Sequence, residues 1–180
     1  IRRIVDEFSK FARMPELRRK NEDLSALVES AVSLQQAGQP NVSIKLCQPK
    51  SPIVTSIDAT LINQALTNIL KNAGESIETR MQDTSTSKHD GIIEVLLKNE
   101  PDIVVLNISD NGVGLPQDRS RLFEPYVTTR DKGTGLGLAI VKKIIEEHGG
   151  VLKLEDSAPF KNTGIIGALI SIELPKSKNL

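Results

Sequence analysis

The sequence predicts an α+β fold, a two-layer sandwich in which helices cover one face of a mixed β-sheet. Apolar residues recur at helical spacing in some segments and alternate with polar residues in others. The connections between these segments are rich in glycine, proline and polar residues. We therefore expect one sheet with its helices segregated to one face.

The first forty residues are predicted to form two helices joined by a linker. Residues 1–15 carry a narrow apolar stripe at helical spacing, and Pro15 ends that helix. A helix this short needs a partner surface, so we expect it to pack in a helical hairpin or a coiled-coil seam. The polar residues 16–23 are predicted to be the linker. A second amphipathic helix follows, from Leu24 to Gly38.

The next segment is predicted to contain two strands and a long helix. The strands are Val42–Leu46 and Ile53–Ile57, on either side of a turn that contains proline. Asp58 is a suitable N-cap for a helix that continues to Arg80. Cys47, at the end of the first strand, is predicted to be buried or half-buried.

The second half of the chain is predicted to complete the sheet. Its strands and helix are Ile92–Lys98, Ile103–Ser109, Leu136–His148, Val151–Glu155 and Ile165–Leu174. The first two strands follow one another closely, so we expect them to be antiparallel neighbours. Residues 115–134 lack clear periodicity, which is typical of a flexible lid.

Composition excludes some classes of function. Lysine and arginine together number 23, as do aspartate and glutamate, so the formal net charge is zero. A nucleic-acid surface normally shows a basic excess, and we expect no nucleic-acid partner. No apolar run approaches the roughly 20 residues that a membrane helix needs, so the chain itself is predicted not to span a membrane.

Asp110 is a candidate purine-binding residue. It follows an apolar strand and precedes a glycine turn that contains Gly112 and Gly114. A carboxylate held there can accept a hydrogen bond from the amino edge of a purine. The alternative is an ordinary Asp-Asn-Gly hairpin turn, which becomes improbable once the second glycine run is considered.

That second run, Gly133-Thr134-Gly135-Leu136-Gly137-Leu138, is predicted to hold phosphate groups. It opens a helix, where free backbone N–H groups can bind anions. It is neither a dinucleotide-binding turn, since position 138 is leucine, nor a P-loop, since no Lys-Ser or Lys-Thr pair follows. Arg130 and Lys132 precede it and supply positive charge for the β- and γ-phosphates, unless they are merely solvated charges of the lid.

Asn68 and Asn72 are candidate ligands for a metal–phosphate group. They lie one helical turn apart on one face of the long helix, among apolar neighbours. The Asn72 amide oxygen is a hard neutral ligand that suits Mg²⁺. Asn68 can reach the same phosphates or their waters. The alternative is that both are solvated surface residues.

In this order, and with Phe123-Glu124-Pro125 between the glycine runs, the motifs resemble the N, G1, F and G2 boxes of sensor histidine kinases. Those kinases belong to the wider ATPase family that includes DNA gyrase B, the chaperone Hsp90 and the repair protein MutL. The resemblance implies a Bergerat-type ATP-binding fold with a flexible ATP lid over about 115–134. It also implies ATP and Mg²⁺ as cofactors, and Phe123 and Tyr126 as lid residues.

The resemblance also implies residue roles. Asp110 would accept a hydrogen bond from the adenine N6 amino group, and Asn72 would hold Mg²⁺. Catalytic roles fall to Asn68, Arg130 and Lys132. The implied ATP-binding set is Asn68, Asn72, Asp110, Gly112, Gly114, Phe123, Thr134, Gly135, Leu136, Gly137 and Leu138.

Two positions separate the chain from parts of this family. The hydrolysing branches have glutamate at the position of Asn68, where it activates water, so asparagine favours a kinase. Gly167-Ala168 stands where the kinases often have a Gly-Thr pair that contacts the base.

The N-terminal segment resembles nitrogen-regulation sensor kinases just after their phosphoacceptor region. This implies that residues 1–15 end a dimerisation hairpin, that 16–23 are a linker and that 24–180 are the catalytic domain. The implied partners are ATP and ADP, an NtrX-like response regulator, and a second copy in the parent protein. The implied location is the cytoplasmic side of a bacterial inner membrane.

Neither histidine is suited to be the phosphoacceptor. His89 lies in a polar loop, and His148 ends a helix, where an imidazolium would complement the helix dipole. Two rival functions remain open: an ATP-hydrolysing conformational machine, and a non-catalytic interaction module with a vestigial nucleotide site.

Overall fold

The fold comes from a computed structural model, which describes residues 16–83, 91–127, 135–161 and 163–176. Within these ranges the elements are β1 (Lys20–Asp23), α1 (Leu24–Gly38), β2 (Val42–Cys47), β3 (Val54–Ile57), α2 (Ala59–Asp83), β4 (Gly91–Asn99), β5 (Ile103–Asp110), α3 (Gly137–Glu147), β6 (Val151–Asp156) and β7 (Ala168–Pro175). The helix predicted over residues 1–15 lies outside the described residues.

The main sheet has five strands in the order β2-β4-β5-β7-β6. β2 and β4 are parallel, whereas the other neighbouring pairs are antiparallel. The predicted pairing of β4 with β5 is confirmed, with Leu97 opposite Leu106. A mixed sheet with helices packed against it confirms the predicted α+β sandwich.

A second, two-stranded sheet corrects one prediction. Lys20–Asp23, predicted to be part of a linker, form β1 and pair antiparallel with β3. The two strands predicted around the proline turn are present as β2 and β3, and they belong to different sheets. β1 has only four residues, all polar or charged, so it lacks the apolar alternation that marks a strand.

Two of the three described helices, α1 and α2, begin where an aspartate caps them. Asp23 Oδ1 accepts from the Ser25 N–H at 2.9 Å at the start of α1. Asp58 Oδ1 accepts from the N–H groups of Thr60 at 3.1 Å and Leu61 at 3.2 Å, which confirms the predicted cap of α2. α1 ends at Gly38, as predicted.

The core lies between the main sheet and the helices. α2 contributes Ile69 and Ile77, β4 contributes Ile93, and α3 contributes Val141, none of which has measurable exposure. Burying an aliphatic side chain of this size stabilises the fold by roughly 1.5–3 kcal/mol. The long helix α2 contacts both α1 and α3, so it is the central element of the helical layer.

Cys47 is exposed, which corrects the prediction that it is buried. Side chains alternate along β2, and Val42 faces the core while Ser43, Lys45 and Cys47 face outward. The alternation that identified the strand therefore also places Cys47 on the outer face.

The last strand is shorter than predicted. β7 begins at Ala168, whereas residues 165–167 belong to the loop after β6. Two of these residues accept backbone hydrogen bonds from the segment after β6: the Phe160 N–H donates to the Ile165 carbonyl and the Ser157 N–H to the Gly167 carbonyl, each at 3.0 Å.

Among the residues that the structure describes, no helix has both the length and the apolar character to cross a membrane.

Candidate functional site

One face of α2 carries polar side chains at four-residue intervals. Asn68 and Asn72 are half-buried, and Ser76, one turn further on, is buried at 6% exposure. Neighbouring positions such as Ile69 and Ala73 are in the core. This polar face therefore borders the core rather than open solvent.

Asn72 lies beside the start of α3. A Cβ atom added to Gly137, the first residue of α3, would lie 3.5 Å from Asn72 Nδ2 and 3.9 Å from its Oδ1. The structure thus brings together two predicted motifs that are about sixty residues apart in the sequence. Any larger side chain at position 137 would project towards the Asn72 amide.

The N-terminus of α3 is suited to bind an anion. Its N-cap is Leu136, a fully buried residue that has no side-chain acceptor for the first N–H groups of the helix. The first turn contains no acidic residue. Gly135, just before it, has a φ of +69°, which favours glycine. Leu138 in the first turn is half-buried and packs against the core.

Asp110 ends β5 and is buried at 5% exposure. Its Oδ1 accepts a hydrogen bond from the Gly112 N–H at 2.8 Å. The next residue, Asn111, is completely buried and exchanges two hydrogen bonds with Ile92: its Oδ1 accepts at 2.8 Å and its N–H donates at 3.2 Å. Asn111 was not predicted, although its place between Asp110 and Gly112 was a signal.

Gly112 packs directly on α2. A Cβ atom there would overlap Ser76 Oγ and come within 2.7 Å of the Ser76 carbonyl carbon. The Ser76 Oγ also accepts from the Val113 N–H at 3.1 Å. Ser76 was missed by sequence reasoning; its spacing of four residues from Asn72 was the available signal.

The segment around Gly167, just before β7, packs against Asp110. A Cβ atom on Gly167 would overlap the Asp110 carbonyl oxygen and lie 3.0 Å from Asp110 Oδ1. Gly114, with a φ of +77°, lies beside the same segment, since its Cβ would be 3.5 Å from the Ile166 carbonyl oxygen. Position 167 must therefore be glycine, and Ala168 follows it as a buried residue.

Phe123 is anchored to α3. The Lys142 Nζ lies 5.1 Å from the centroid of its ring, within the range of a cation–π contact. Tyr126 has a φ of +67°, and its N–H donates to the Gly135 carbonyl at 3.1 Å. The end of the Phe123 segment is thus joined to the glycine turn before α3.

Arg130, Lys132 and Thr134 lie outside the described residues. The roles predicted for them stay predictions.

His148 is a structural residue. It is 2% exposed, its Nδ1 lies 2.7 Å from the Ile144 carbonyl oxygen, and its Nε2 accepts from the Asp58 N–H at 3.0 Å. An acceptor at Nε2 requires the neutral ring with its proton on Nδ1. The expectation of an imidazolium that complements the helix dipole was therefore wrong, because burial removes the ring from water.

Burial lowers the pKa of His148, and the charge of Arg19 acts in the same direction. The Ile144 carbonyl and the carboxylates of Asp58 and Glu147 oppose that shift without cancelling it. Burial by itself would raise the pKa of Asp58, but the N–H groups of Arg18, Leu61 and Thr60 outweigh it and hold this pKa below its ordinary value.

The lowered pKa of His148 predicts a pH-dependent stability. Below the ordinary value of 6.5, the unfolded chain binds a proton that the folded chain does not, so the free energy of unfolding falls as the pH falls. The slope for one proton is at most about 1.4 kcal/mol per pH unit. Urea unfolding of the chain and of His148→Gln, from neutral pH to about pH 5, measures it.

The glutamine variant should lose that part of the slope, since glutamine does not titrate. Equal slopes in the two proteins would contradict the neutral, buried imidazole. Asp58 acts in a separate window, because its depressed pKa costs stability only as the pH falls through and below 3.8.

The mixed sheet and the helical layer define an α+β sandwich domain, and the glycine-lined junction of α2, β5 and α3 is its candidate nucleotide site. Residues 57–178 match the family described as histidine kinase-, DNA gyrase B-, and HSP90-like ATPase. The chain belongs to this family.

Its relatives include sensor kinases. The chain is 46% identical over 179 residues to the nitrogen regulation protein NtrY of Azorhizobium caulinodans, which covers 99% of this chain and 23% of that protein. The mycobacterial sensor histidine kinase MprB superposes with a TM-score of 0.72 and 25% identity, covering 90% of this chain and 100% of the solved one. The histidine kinase ThkA in complex with the response regulator protein TrrA has a TM-score of 0.75 and 24% identity, covering 98% of this chain and 47% of the solved one.

The chain thus spans about a quarter of the length of the NtrY protein that it matches.

Proposed function

We propose that this chain is the catalytic ATP-binding domain of a two-component sensor histidine kinase of the nitrogen-regulation type. The observation that carries the proposal is the placement of the Asn72 amide beside Gly137 at the N-terminus of α3, where a Cβ atom on Gly137 would lie 3.5 Å from Asn72 Nδ2. It joins a neutral metal ligand to a helix end that attracts phosphates. In the parent protein the γ-phosphoryl of ATP passes to a histidine and then to an aspartate of a response regulator.

Each part of the junction has a role in this proposal. Asp110 accepts a hydrogen bond from the adenine amino group, and the Gly112 and Gly114 backbone lies against the base. The phosphates bind the N–H groups from Thr134 to Leu138, with Arg130 and Lys132 adding positive charge, while Phe123 anchors the lid.

The residues present fit a Mg²⁺ ion. The Asn72 Oδ1 is a hard neutral ligand next to a helix end that lacks a side-chain cap. Bound Mg²⁺ neutralises phosphate charge, which is most of what phosphoryl transfer requires. Asn72 supplies one ligand, and Asn68, one turn away, orients phosphate oxygens or their waters.

Asn68 favours transfer over hydrolysis. An amide cannot take a proton from water as a carboxylate can, so the site holds ATP without activating a water molecule against it. Position 68 is half-buried on the face of α2 that also carries Asn72. This residue weighs against an ATP-hydrolysing machine of the gyrase or Hsp90 kind.

The proposal extends to the parent protein. The 46% identity to NtrY supports an NtrX-like response regulator as the partner, and the solved complex of ThkA with TrrA shows such a pairing for a related fold. Residues 1–15 would complete a dimerisation hairpin, with a linker before β1 and a lid over about 115–134. The domain would lie on the cytoplasmic side of the inner membrane.

A phosphotransfer assay tests the kinase assignment. With ATP labelled on the γ-phosphate, the isolated chain should gain no acid-labile phosphate, because its one described histidine, His148, is buried and hydrogen-bonded at both ring nitrogens. A separate dimerisation fragment that carries an acceptor histidine should become labelled when the chain is added in excess. The rate should be slow, since tethering normally supplies effective concentration.

The matched control is the same mixture with Asp110→Asn, which should label the fragment more slowly. Label on the isolated chain would contradict the assignment. Release of free phosphate with no labelled protein would favour the hydrolysing alternative.

A further inference from the structure

We propose that two buried serines, Ser76 and Ser157, are positioning residues that orient Asp110 for discrimination between adenine and guanine. This inference rests on the proposed function, in which Asp110 binds the purine. Neither serine belongs to the motifs that define the site. Each accepts a backbone hydrogen bond from a glycine-containing segment that lies directly against Asp110.

Ser76 fixes the turn after Asp110 on α2. Its side chain is 6% exposed, and its Oγ accepts from the Val113 N–H at 3.1 Å. Gly112 packs on the same serine so closely that a Cβ atom would overlap it. Because the Gly112 N–H donates to Asp110 Oδ1 at 2.8 Å, the position of this turn sets the orientation of the carboxylate.

Ser157 fixes the segment before β7. It is 5% exposed, and its Oγ accepts from the Gly167 N–H at 2.8 Å, while its own N–H donates to the Gly167 carbonyl at 3.0 Å. Gly167 in turn lies against the Asp110 carbonyl and carboxylate, leaving no room for a side chain. The two hydrogen bonds therefore fix a second segment, the one that contains Gly167, against Asp110.

The orientation of Asp110 matters for the choice of base. Adenine presents an amino donor at the position where guanine presents a carbonyl acceptor. A fixed carboxylate accepts from the first and repels the second, whereas a loosened carboxylate can turn away from the guanine oxygen. Loosening either segment should therefore weaken the binding of ATP and reduce the discrimination against GTP.

The test compares Ser76→Ala and Ser157→Ala with a matched control, Ser25→Ala. Ser25 is also buried, at 7% exposure, and its Oγ also accepts a backbone hydrogen bond, from the Ile53 N–H at 3.1 Å. Ile53, however, lies near Asn99, at the opposite end of the sheet from Asp110. Each variant loses one backbone hydrogen bond to a buried serine hydroxyl, so we expect similar losses of stability.

The measured quantity is the ratio of the dissociation constants for GTP and ATP, by calorimetric titration. Partial unfolding raises both constants by the same factor, so the ratio reports positioning and not stability. Losing one hydrogen bond of this kind corresponds to a fall in the ratio of about three- to tenfold. We expect that fall for Ser76→Ala and for Ser157→Ala, and an unchanged ratio for Ser25→Ala.

A ratio in both site variants equal to that of Ser25→Ala would overturn the inference. Asp110→Asn, measured in the same series, separates this failure from that of the proposed function. If Asp110→Asn lowers the ratio and the serine variants do not, only the positioning role is wrong. If Asp110→Asn leaves the ratio unchanged, Asp110 does not bind the purine.

In the Asp110→Asn background, Ser76→Ala should cause no further fall in the ratio, and a full additional fall would also contradict the inference.

Discussion

Replacing Asp110 with asparagine should weaken ATP binding by about 1.5–3 kcal/mol, or roughly 10- to 150-fold. The substitution keeps the size of the side chain but removes the charge from a buried acceptor that is already oriented by the Gly112 N–H. It should also reduce the preference for ATP over GTP. Calorimetric titration of the folded variant with both nucleotides measures the two effects.

Asp102→Asn is a suitable control. Asp102 is an exposed residue in the turn that precedes β5, at the other end of the strand that Asp110 terminates. The same change of charge there should leave both affinities unaltered. An unchanged ATP affinity in the Asp110 variant would exclude this residue as the purine acceptor.

Gly112→Ala should abolish measurable nucleotide binding and lower the free energy of unfolding by about 1–3 kcal/mol. The added methyl would meet the backbone and the hydroxyl of Ser76, so the turn and α2 would have to separate. Since Asp110 and Asn72 are attached to these two elements, their relative placement would be lost. Chemical unfolding and ATP titration of the variant test both parts.

Gly38→Ala provides the comparison for that experiment. Gly38 ends α1, and a Cβ atom there would meet nothing within 4 Å. This variant should keep its stability and its affinity for ATP. If Gly112→Ala behaved like Gly38→Ala, the close packing of the turn on α2 would be wrong.

The sequence predicted those elements whose signals are local. Apolar and polar residues alternate clearly in β4 and β5, which are separated by a short turn. Asp58, as a suitable N-cap, predicted the start of α2. The Asn72 and Gly137 motifs were each recognised from residue type and spacing. Their proximity follows from the packing of α2 on α3, which the helical patterns imply but do not locate.

Features that depend on tertiary contacts were not predictable in this way. β1 is polar and forms only because β3 supplies backbone partners. Ser76 and Ser157 are ordinary serines in the sequence, and only the fold brings them to Val113 and Gly167. His148 has a helix-end position that suggested a charged ring, whereas its burial against the Asp58 N–H requires a neutral one.

A single titration series tests the proposed ATP–Mg²⁺ site at the junction of α2, β5 and α3. ATP and adenosine are titrated into the chain and into Asn72→Ala, each with and without Mg²⁺. We expect the unaltered chain to bind ATP more tightly with Mg²⁺, and Asn72→Ala to lose this gain while it still binds adenosine. No binding of ATP to the unaltered chain, or an equal loss of affinity for adenosine and for ATP with Mg²⁺ in the variant, would contradict the proposed site.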